Sequence, residues 1–118
     1  MEAEFRYDAH DPFAVSITFH LGDDTAVRWE LARTLLVRAI TDPAGAGDVC
    51  LWPNLDAEYR AVVLLSLGAP QGELVVEIRT NQLYRFLTRT LAMVPFGTES
   101  EWLDVDAVVA QLLGSSAQ

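Results

Sequence analysis

Hydrophobic and polar residues alternate along the segment from Phe13 to Leu21. The hydrophobic set on one face is Phe13, Val15, Ile17, Phe19 and Leu21. Because successive side chains of a β-strand point to opposite faces, this pattern predicts a half-buried strand. Residues 25–31 repeat the pattern, with Val27, Trp29 and Leu31 inward. The sequence Gly22-Asp23-Asp24 between the two segments is typical of a turn, so we predict an antiparallel hairpin.

Three more strands are predicted further along the chain, over residues 48–52, 60–67 and 73–79. The run from Ala61 to Leu67 is apolar on both faces, which is typical of a central strand covered on each side. Residues 44–47 have the composition of a loop, and Gly68–Gly72 has the composition of a turn.

Apolar residues take on helical spacing in three segments, which we predict as helices over residues 32–40, 81–94 and 105–113. Pro43 and Pro95 end the first two, because proline disfavours helical backbone in the residue before it. Asp104 is placed to cap the third. The order of strands and helices predicts an α+β fold around a mostly antiparallel, twisted sheet.

The composition is that of a single globular domain. The chain has 118 residues, of which 51% are hydrophobic and 21% charged, enough to bury one core. We therefore predict one domain over residues 1–118, with residues 114–118 as a frayed tail. The one cysteine, the acidic N-terminus without a secretory signal, and the absence of an apolar run near the ~20 residues of a membrane span predict a cytoplasmic protein.

Charge narrows the choice of partners. The 17 acidic residues outweigh 8 basic residues, all of them arginine, and the formal net charge is −9. Nucleic-acid binding draws much of its affinity from cationic side chains that displace counterions from phosphates. This charge balance opposes long-range attraction to nucleic acids and anionic lipids but leaves a local basic patch open, and we expect no nucleic-acid partner.

Few residues offer catalytic or ligand-binding chemistry. His10 and His20 lack the paired spacing of a zinc motif, and we interpret them as solvated polar residues. Cys50 lies inside a predicted strand and is interpreted as a small packed side chain. The Gly45-Ala46-Gly47 segment runs from a helix into a strand, the reverse of a phosphate-binding loop. We predict no catalytic residues, no metal and no cofactor.

The three tryptophans have different surroundings in the sequence. Trp29 faces inward on its predicted strand and is expected in the core. Trp52 precedes Pro53 at a strand end, and Trp102 lies in a polar stretch. An exposed tryptophan in such a position can anchor a protein partner, although a partly buried rim position is the alternative. We predict Trp52, Pro53 and Trp102 near a partner interface.

An ordered set of short motifs resembles the SsgA-like family of actinomycete sporulation and cell-division proteins, most of all its SsgB type. The resemblance spans residues 6–113. Its fragments are Arg6-Tyr7-Asp8, Asp11-Pro12-Phe13-Ala14-Val15, Phe19-His20, Val27-x-Trp29, Ala32-Arg33-x-Leu35-Leu36, Pro43-x-Gly45-x-Gly47-Asp48-Val49, Trp52-Pro53, Pro70-x-Gly72, Phe86-Leu87, Val94-Pro95-x-Gly97-Thr98-Glu99 and Asp104-x-Asp106. SsgB-type members usually begin with a further strand before the Tyr-Asp segment. This sequence starts almost at that segment, so either its start is truncated or misassigned, or that strand is missing.

The resemblance implies a non-enzymatic protein of the whirly type of fold that assembles as a trimer. It also implies a role in helping to recruit FtsZ to future sporulation septa, in contact with FtsZ or another SsgA-like protein. One alternative is a single-stranded nucleic-acid-binding module, which the fold suggests and the charge opposes. Another is a small-molecule binder with a pocket between sheet and helix.

Overall fold

The structure, a computed structural model, describes residues 2–69 and 72–102. Three predictions lie outside these ranges: the helix over residues 105–113, its cap Asp104 and the frayed tail over 114–118. Residues 70 and 71 of the predicted Gly68–Gly72 turn also lie outside them.

The described elements include every strand and helix predicted within these ranges, together with two further strands and one short further helix. They are β1 (Glu2–Arg6), β2 (Ala14–Gly22), β3 (Thr25–Ala32), α1 (Arg33–Ala39), β4 (Ala44–Ala46), β5 (Val49–Leu55), β6 (Ala61–Ala69), β7 (Gly72–Arg79), α2 (Thr80–Met93) and α3 (Glu99–Trp102). Every described strand pair is antiparallel, so the predicted α+β class is confirmed.

One sheet has the strand order β1-β2-β3. The predicted β2–β3 hairpin is confirmed, with Ile17 opposite Trp29. Its turn places Asp23 and Asp24 at φ angles of 49° and 62°. Two successive positive φ angles give a turn whose twist matches that of the flanking strands, and aspartate tolerates this conformation better than most residues.

The structure contains a strand before Tyr7, where the sequence left open whether one was missing. Strand β1 occupies Glu2–Arg6 and pairs with β2, placing Phe5 opposite Ile17. Ala3 and Phe5 pack against the core while Glu4 and Arg6 are exposed. Strand β1 has only five residues, and only Ala3 and Phe5 among them are apolar. An alternation this short is too weak to predict a strand without the neighbouring strand.

The second sheet has the order β4-β5-β6-β7, which makes β6 a central strand as predicted. The prediction of a loop over residues 44–47 was wrong, because Ala44–Ala46 pairs with Val49–Leu51 as β4. A Cβ at Gly45 would lie 3.0 Å from the Val49 carbonyl oxygen. The glycine therefore permits a close pairing that its composition alone assigns to a loop.

One hydrophobic core joins both sheets to α1 and α2. Fully or almost fully buried members include Val15, Ile17, Phe19, Leu36, Leu51, Val63, Leu65, Leu67, Ile78, Leu83 and Leu87. The inward face predicted for the first strand is confirmed at its centre only. Phe13, which precedes β2, is 50% exposed, and Leu21, at the register shift between His20 and Gly22, is 40% exposed.

The loop between β5 and β6 is organised by one carboxylate. Asp56 accepts hydrogen bonds from the backbone N–H groups of Glu58 and Arg60, each at 2.9 Å, and from Nε of Arg60 at 2.9 Å. The Arg60 backbone N–H is the main cause that lowers the pKa of Asp56 from its ordinary value of 3.8. This network holds Tyr59 at a φ of 63°, a conformation that is uncommon for a tyrosine.

The lowered pKa of Asp56 predicts a pH-dependent stability. The charged carboxylate stabilises the fold above the unfolded-state pKa, and that contribution is lost as pH falls through the lower folded-state pKa. Asp56→Asn is therefore expected to lower the melting temperature near neutral pH, with a gap from wild type that closes in acid. Differential scanning fluorimetry from about pH 7 to about pH 2.5 measures this gap. Asp24→Asn, at an exposed turn position, is the control, and a gap that stays constant with pH contradicts the prediction.

Candidate interaction surface

The second half of β5 forms an open sheet edge. Strand β4 pairs only with Val49–Leu51, whereas β5 continues to Leu55. From Trp52 onward, β5 therefore has a described partner on one side only, β6. Pro53 suits this position because proline lacks the N–H group that a strand paired on both sides needs.

A shallow depression adjoins this edge, and we name it the Trp52 cleft. Its volume is about 740 Å³, and it is lined by Arg38, Pro43, Ala44, Gly45, Cys50, Leu51 and Trp52. The end of α1 contributes the guanidinium, and β4 and β5 contribute the apolar walls. An apolar floor, one cation and a free strand edge together suit an extended peptide better than a compact ligand.

Cys50 does not have the packed environment predicted for it. It lies in β5, as predicted, but its side chain is exposed on the face opposite the core. The reason is parity: Val49 and Leu51 take the buried positions on either side, and a strand sends alternate side chains to opposite faces.

The three residues predicted near an interface do not all meet. Trp52 and Pro53 are half-buried neighbours at the open edge. Trp102 is 44% exposed at the end of α3 and is not among the residues that line the Trp52 cleft. The polar stretch around Trp102, for which the sequence predicts neither helix nor strand, forms this short helix. A hydrogen bond from the Glu101 N–H to the Thr98 carbonyl lies at its start.

A buried arginine organises the neighbourhood of α3, and sequence reasoning assigned it no role. Arg33, 1% exposed, is the first residue of α1. It donates hydrogen bonds to the carbonyls of Thr90 at 3.1 Å and Val94 at 2.8 Å, and to Glu99 at 2.9 Å. The two carbonyls lie at the C-terminal end of α2, where the Thr90 carbonyl also accepts the backbone N–H of Val94 at 2.8 Å, while the last helix carbonyls lack intrahelical partners. Arg33 therefore joins the start of α1 to the end of α2 and the start of α3.

Two aromatic rings complete what we name the Arg33 cluster: Arg33, Glu99, Tyr7 and Phe96. The guanidinium carbon lies 5.2 Å from the centre of the Tyr7 ring and 4.9 Å from that of Phe96, within the range of cation–π attraction. The Tyr7 hydroxyl donates to the Pro12 carbonyl at 2.9 Å, and burial raises the pKa of Tyr7. The cluster ties the segment after β1 to α3.

Besides pairing with Arg33, Glu99 stabilises the turn before α3. Its carboxylate accepts the backbone N–H of Gly97 at 3.0 Å, and Gly97 has a φ of 86°, which glycine adopts without strain. The sequence did carry a signal for this arrangement: Arg33 falls three residues before Leu36, on the apolar side of the α1 helix.

The histidines lie apart on exposed positions, as interpreted from the sequence. His10 is in the loop before β2, and His20 lies on β2 with Nε2 3.4 Å from Glu4. Within residues 2–69 and 72–102, no group of three or more His, Cys, Asp or Glu side chains is arranged to hold a metal ion. In the same ranges, no helix has the length and apolar character needed to cross a membrane.

Comparison with known proteins identifies the family. The model of the family described as Streptomyces sporulation and cell division protein, SsgA, matches residues 1–99. The chain belongs to the SsgA family. The resemblance drawn from the sequence motifs is thereby confirmed, and three residues of those motifs, Tyr7, Arg33 and Glu99, meet in the Arg33 cluster.

Relatives within the SsgA family cover nearly all of the chain. The sporulation-specific cell division protein SsgB of Streptomyces coelicolor is 41% identical over 114 residues, which are 97% of this chain and 82% of the relative. SsgB of Salinispora tropica is 43% identical over 115 residues, 96% of this chain and 80% of the relative. These relatives are sporulation-specific cell division proteins by name, which supports a role for this chain in cell division.

Solved structures of the SsgA family share the fold. One comes from work in which mutations in SsgB correlate to longitudinal cell division during sporulation of Streptomyces coelicolor. It has a TM-score of 0.82 and 42% identity, and covers 86% of this chain and 79% of that one. The SsgA-like sporulation-specific cell division protein from Thermobifida fusca also has a TM-score of 0.82, with 38% identity, 92% of this chain and 79% of that one.

Proposed function

We propose that this protein is a non-enzymatic regulator of sporulation-specific cell division that helps to recruit or position FtsZ at future septa through protein–protein contacts. It acts in the cytoplasm at the septum and binds FtsZ, another SsgA-like protein, or both. Membership of the SsgA family supports the cell-division role. The observation that carries the binding mechanism is the open edge of β5 beside the Trp52 cleft.

The Trp52 cleft favours an extended segment of the partner. Main-chain groups of β5 beyond Leu51 are free on the β4 side among the described strands, so a peptide can pair with them by adding a strand. Trp52 offers a large apolar contact, and Arg38 offers a guanidinium to a carboxylate. Backbone pairing then supplies affinity, while these two side chains supply selectivity.

A homotrimer strengthens such binding on a polymer. Each subunit brings one Trp52 cleft, and simultaneous engagement of repeating sites multiplies individually weak contacts. An exposed sheet edge or apolar helix face closes the oligomer in this proposal. Val75 on the edge strand β7, half exposed in the single chain, is available for that contact.

Co-sedimentation with GTP-assembled FtsZ from the same organism tests the proposal. We expect the protein to pellet with the polymer above its own background. If it stays in the supernatant both with FtsZ alone and after addition of another SsgA-like protein from that organism, the recruiting role is wrong. Binding of a fluorescently labelled single-stranded oligonucleotide at low salt, measured by anisotropy, tests the nucleic-acid alternative.

Alanine substitutions at Trp52, Pro53 and Trp102 test the interface residues. We expect Trp52→Ala to weaken co-sedimentation about tenfold or more, as loss of a central aromatic anchor does, with smaller losses at Pro53 and Trp102. Arg38→Ala, which removes an exposed side chain of the cleft, separates lost binding from lost folding. Tyr59→Ala is the matched control, because this aromatic is exposed outside the cleft. If the three variants alter neither assembly nor FtsZ binding, these residues are not the interface.

A further inference from the structure

Helix α2 is cationic in a strongly acidic chain. The formal net charge of the protein is −9, yet the fourteen residues of α2 include two arginines and no aspartate or glutamate. Arg85 and Arg89 are exposed one helical turn apart, where residues four positions apart are neighbours on the helix surface. Arg79 directly precedes the helix. Positive charge is thus concentrated on one helix of an otherwise acidic protein.

Most other arginines are already paired with carboxylates inside the chain. Those within ion-pair distance of a carboxylate are Arg6, Arg28, Arg33 and Arg60. Among the described residues, Arg79, Arg85 and Arg89 form no ion pair, and Arg38 belongs to the Trp52 cleft. These three guanidiniums, which have no carboxylate partner in the described part of the chain, are available to an external anion.

Two depressions that share Tyr84 make this a continuous surface. One, of about 430 Å³, lies between Tyr84 and the arginines Arg60 and Arg79. The other, of about 520 Å³, is lined by Tyr84, Arg85, Thr88 and Arg89. Tyr84 is 58% exposed between them. We name this surface, comprising Arg79, Tyr84, Arg85 and Arg89, the cationic α2 surface.

We infer that the cationic α2 surface binds an acidic peptide segment of a partner protein. Guanidiniums pair with carboxylates through two parallel hydrogen bonds, and they keep their charge at every physiological pH. The ring of Tyr84 supplies apolar contact area between the two sets of charges. None of these residues lines the Trp52 cleft, so this second docking surface does not overlap the cleft.

An acidic peptide fits this surface better than a nucleic acid does. Single-stranded nucleic acids are held by several aromatic side chains in a positively charged groove, and here one exposed tyrosine stands among the arginines. The net charge of −9 also repels a polyanion at long range, whereas a short acidic segment contacts only the local cations and is less affected.

Fluorescence anisotropy with a labelled short peptide of Asp, Glu and Ser residues tests the inference, with the Asn and Gln version of the same peptide for comparison. We expect the wild type to bind the acidic peptide and not the amide version. Arg85→Glu with Arg89→Glu is expected to raise Kd about tenfold or more, and Tyr84→Ala to raise it severalfold. Arg6→Glu with Arg28→Glu makes the same change in net charge on the three-stranded sheet and is expected to retain most of the binding.

Four results overturn the inference. The first is an equal loss of binding in the two charge-reversed double variants, and the second is equal binding of the amide peptide. The third is tighter binding of a single-stranded oligonucleotide at the same face. The fourth is a change in molar mass, measured by light scattering, in the Arg85, Arg89 variant. The last two assign the surface to nucleic acid and to a second copy of the chain. If charge reversal impairs folding by circular dichroism, Arg85→Gln with Arg89→Gln gives the same comparison. Because the probe is a peptide, the outcome is independent of FtsZ recruitment.

Discussion

Replacing Arg33 with methionine is expected to lower the free energy of unfolding by about 3–5 kcal/mol, the usual effect of removing one partner from a buried ion pair. Methionine keeps much of the volume of the aliphatic stem but none of the hydrogen bonds. Glu99 loses its guanidinium while remaining mostly buried, and the Val94 carbonyl loses its donor, whereas the Thr90 carbonyl keeps the backbone N–H of Val94. Each unsatisfied buried group adds its own desolvation penalty.

Urea denaturation followed by circular dichroism measures the effect of Arg33→Met. Arg28→Met is the matched control: Arg28 also pairs with a glutamate, at 3.1 Å, but both side chains are largely exposed, so its loss is expected to be below about 1 kcal/mol. The double variant Arg33→Met with Glu99→Gln is expected to recover part of the stability, because no buried charge is then left unpaired. If Arg33→Met and Arg28→Met unfold at the same urea concentration, the Arg33 cluster is not a major source of stability.

Truncating Phe19 is expected to have an effect of similar size. Its ring is fully buried at the centre of β2, opposite Ala3 of β1 and Val27 of β3. Phe19→Ala removes that apolar contact area and leaves a cavity, which together destabilise proteins by about 3–5 kcal/mol. The size of the loss depends on how far the neighbouring side chains close over the space.

Phe13→Ala is a chemically identical control for Phe19→Ala. Phe13 belongs to the same alternation in the sequence but is 50% exposed, so we expect a loss of less than about 1 kcal/mol. Chemical denaturation of both variants distinguishes a position in the core from a position that the alternation places on the same face but that lies outside the core. Equal losses in the two variants contradict the burial difference between them.

Part of the Trp52 cleft could be predicted from the sequence. The tryptophan–proline pair singled out Trp52, which lines the cleft, and Pro53, which follows it on the open edge of β5. The cleft itself depends on β4, whose sequence Ala44-Gly45-Ala46 carries no strand periodicity and pairs only because β5 lies beside it. Arg38 reaches the same cleft from the end of α1, a juxtaposition set by the packing of that helix.

The cationic α2 surface could likewise be predicted from the sequence only in part. That Arg85 and Arg89 fall away from the apolar stripe of α2 follows from a period of 3.6 residues, which the sequence displays. That Arg79 lies beside Arg60, in the depression that also contacts Tyr84, follows from the pairing of β6 with β7. The register of a sheet depends on contacts between residues distant in sequence and is not encoded in the residues of either strand alone.

The sequence by itself determined the α+β class, the β2–β3 hairpin, the central position of β6 and the two longer helices, because each rests on a local period or turn. Its ordered motifs also determined membership of the SsgA family. Only the tertiary structure decided that β1 and β4 form, that Phe13 and Leu21 leave the core, and that Tyr7, Arg33 and Glu99 meet. Short strands and a buried ion pair gain their stability from partners supplied by distant segments, and no local pattern records those partners.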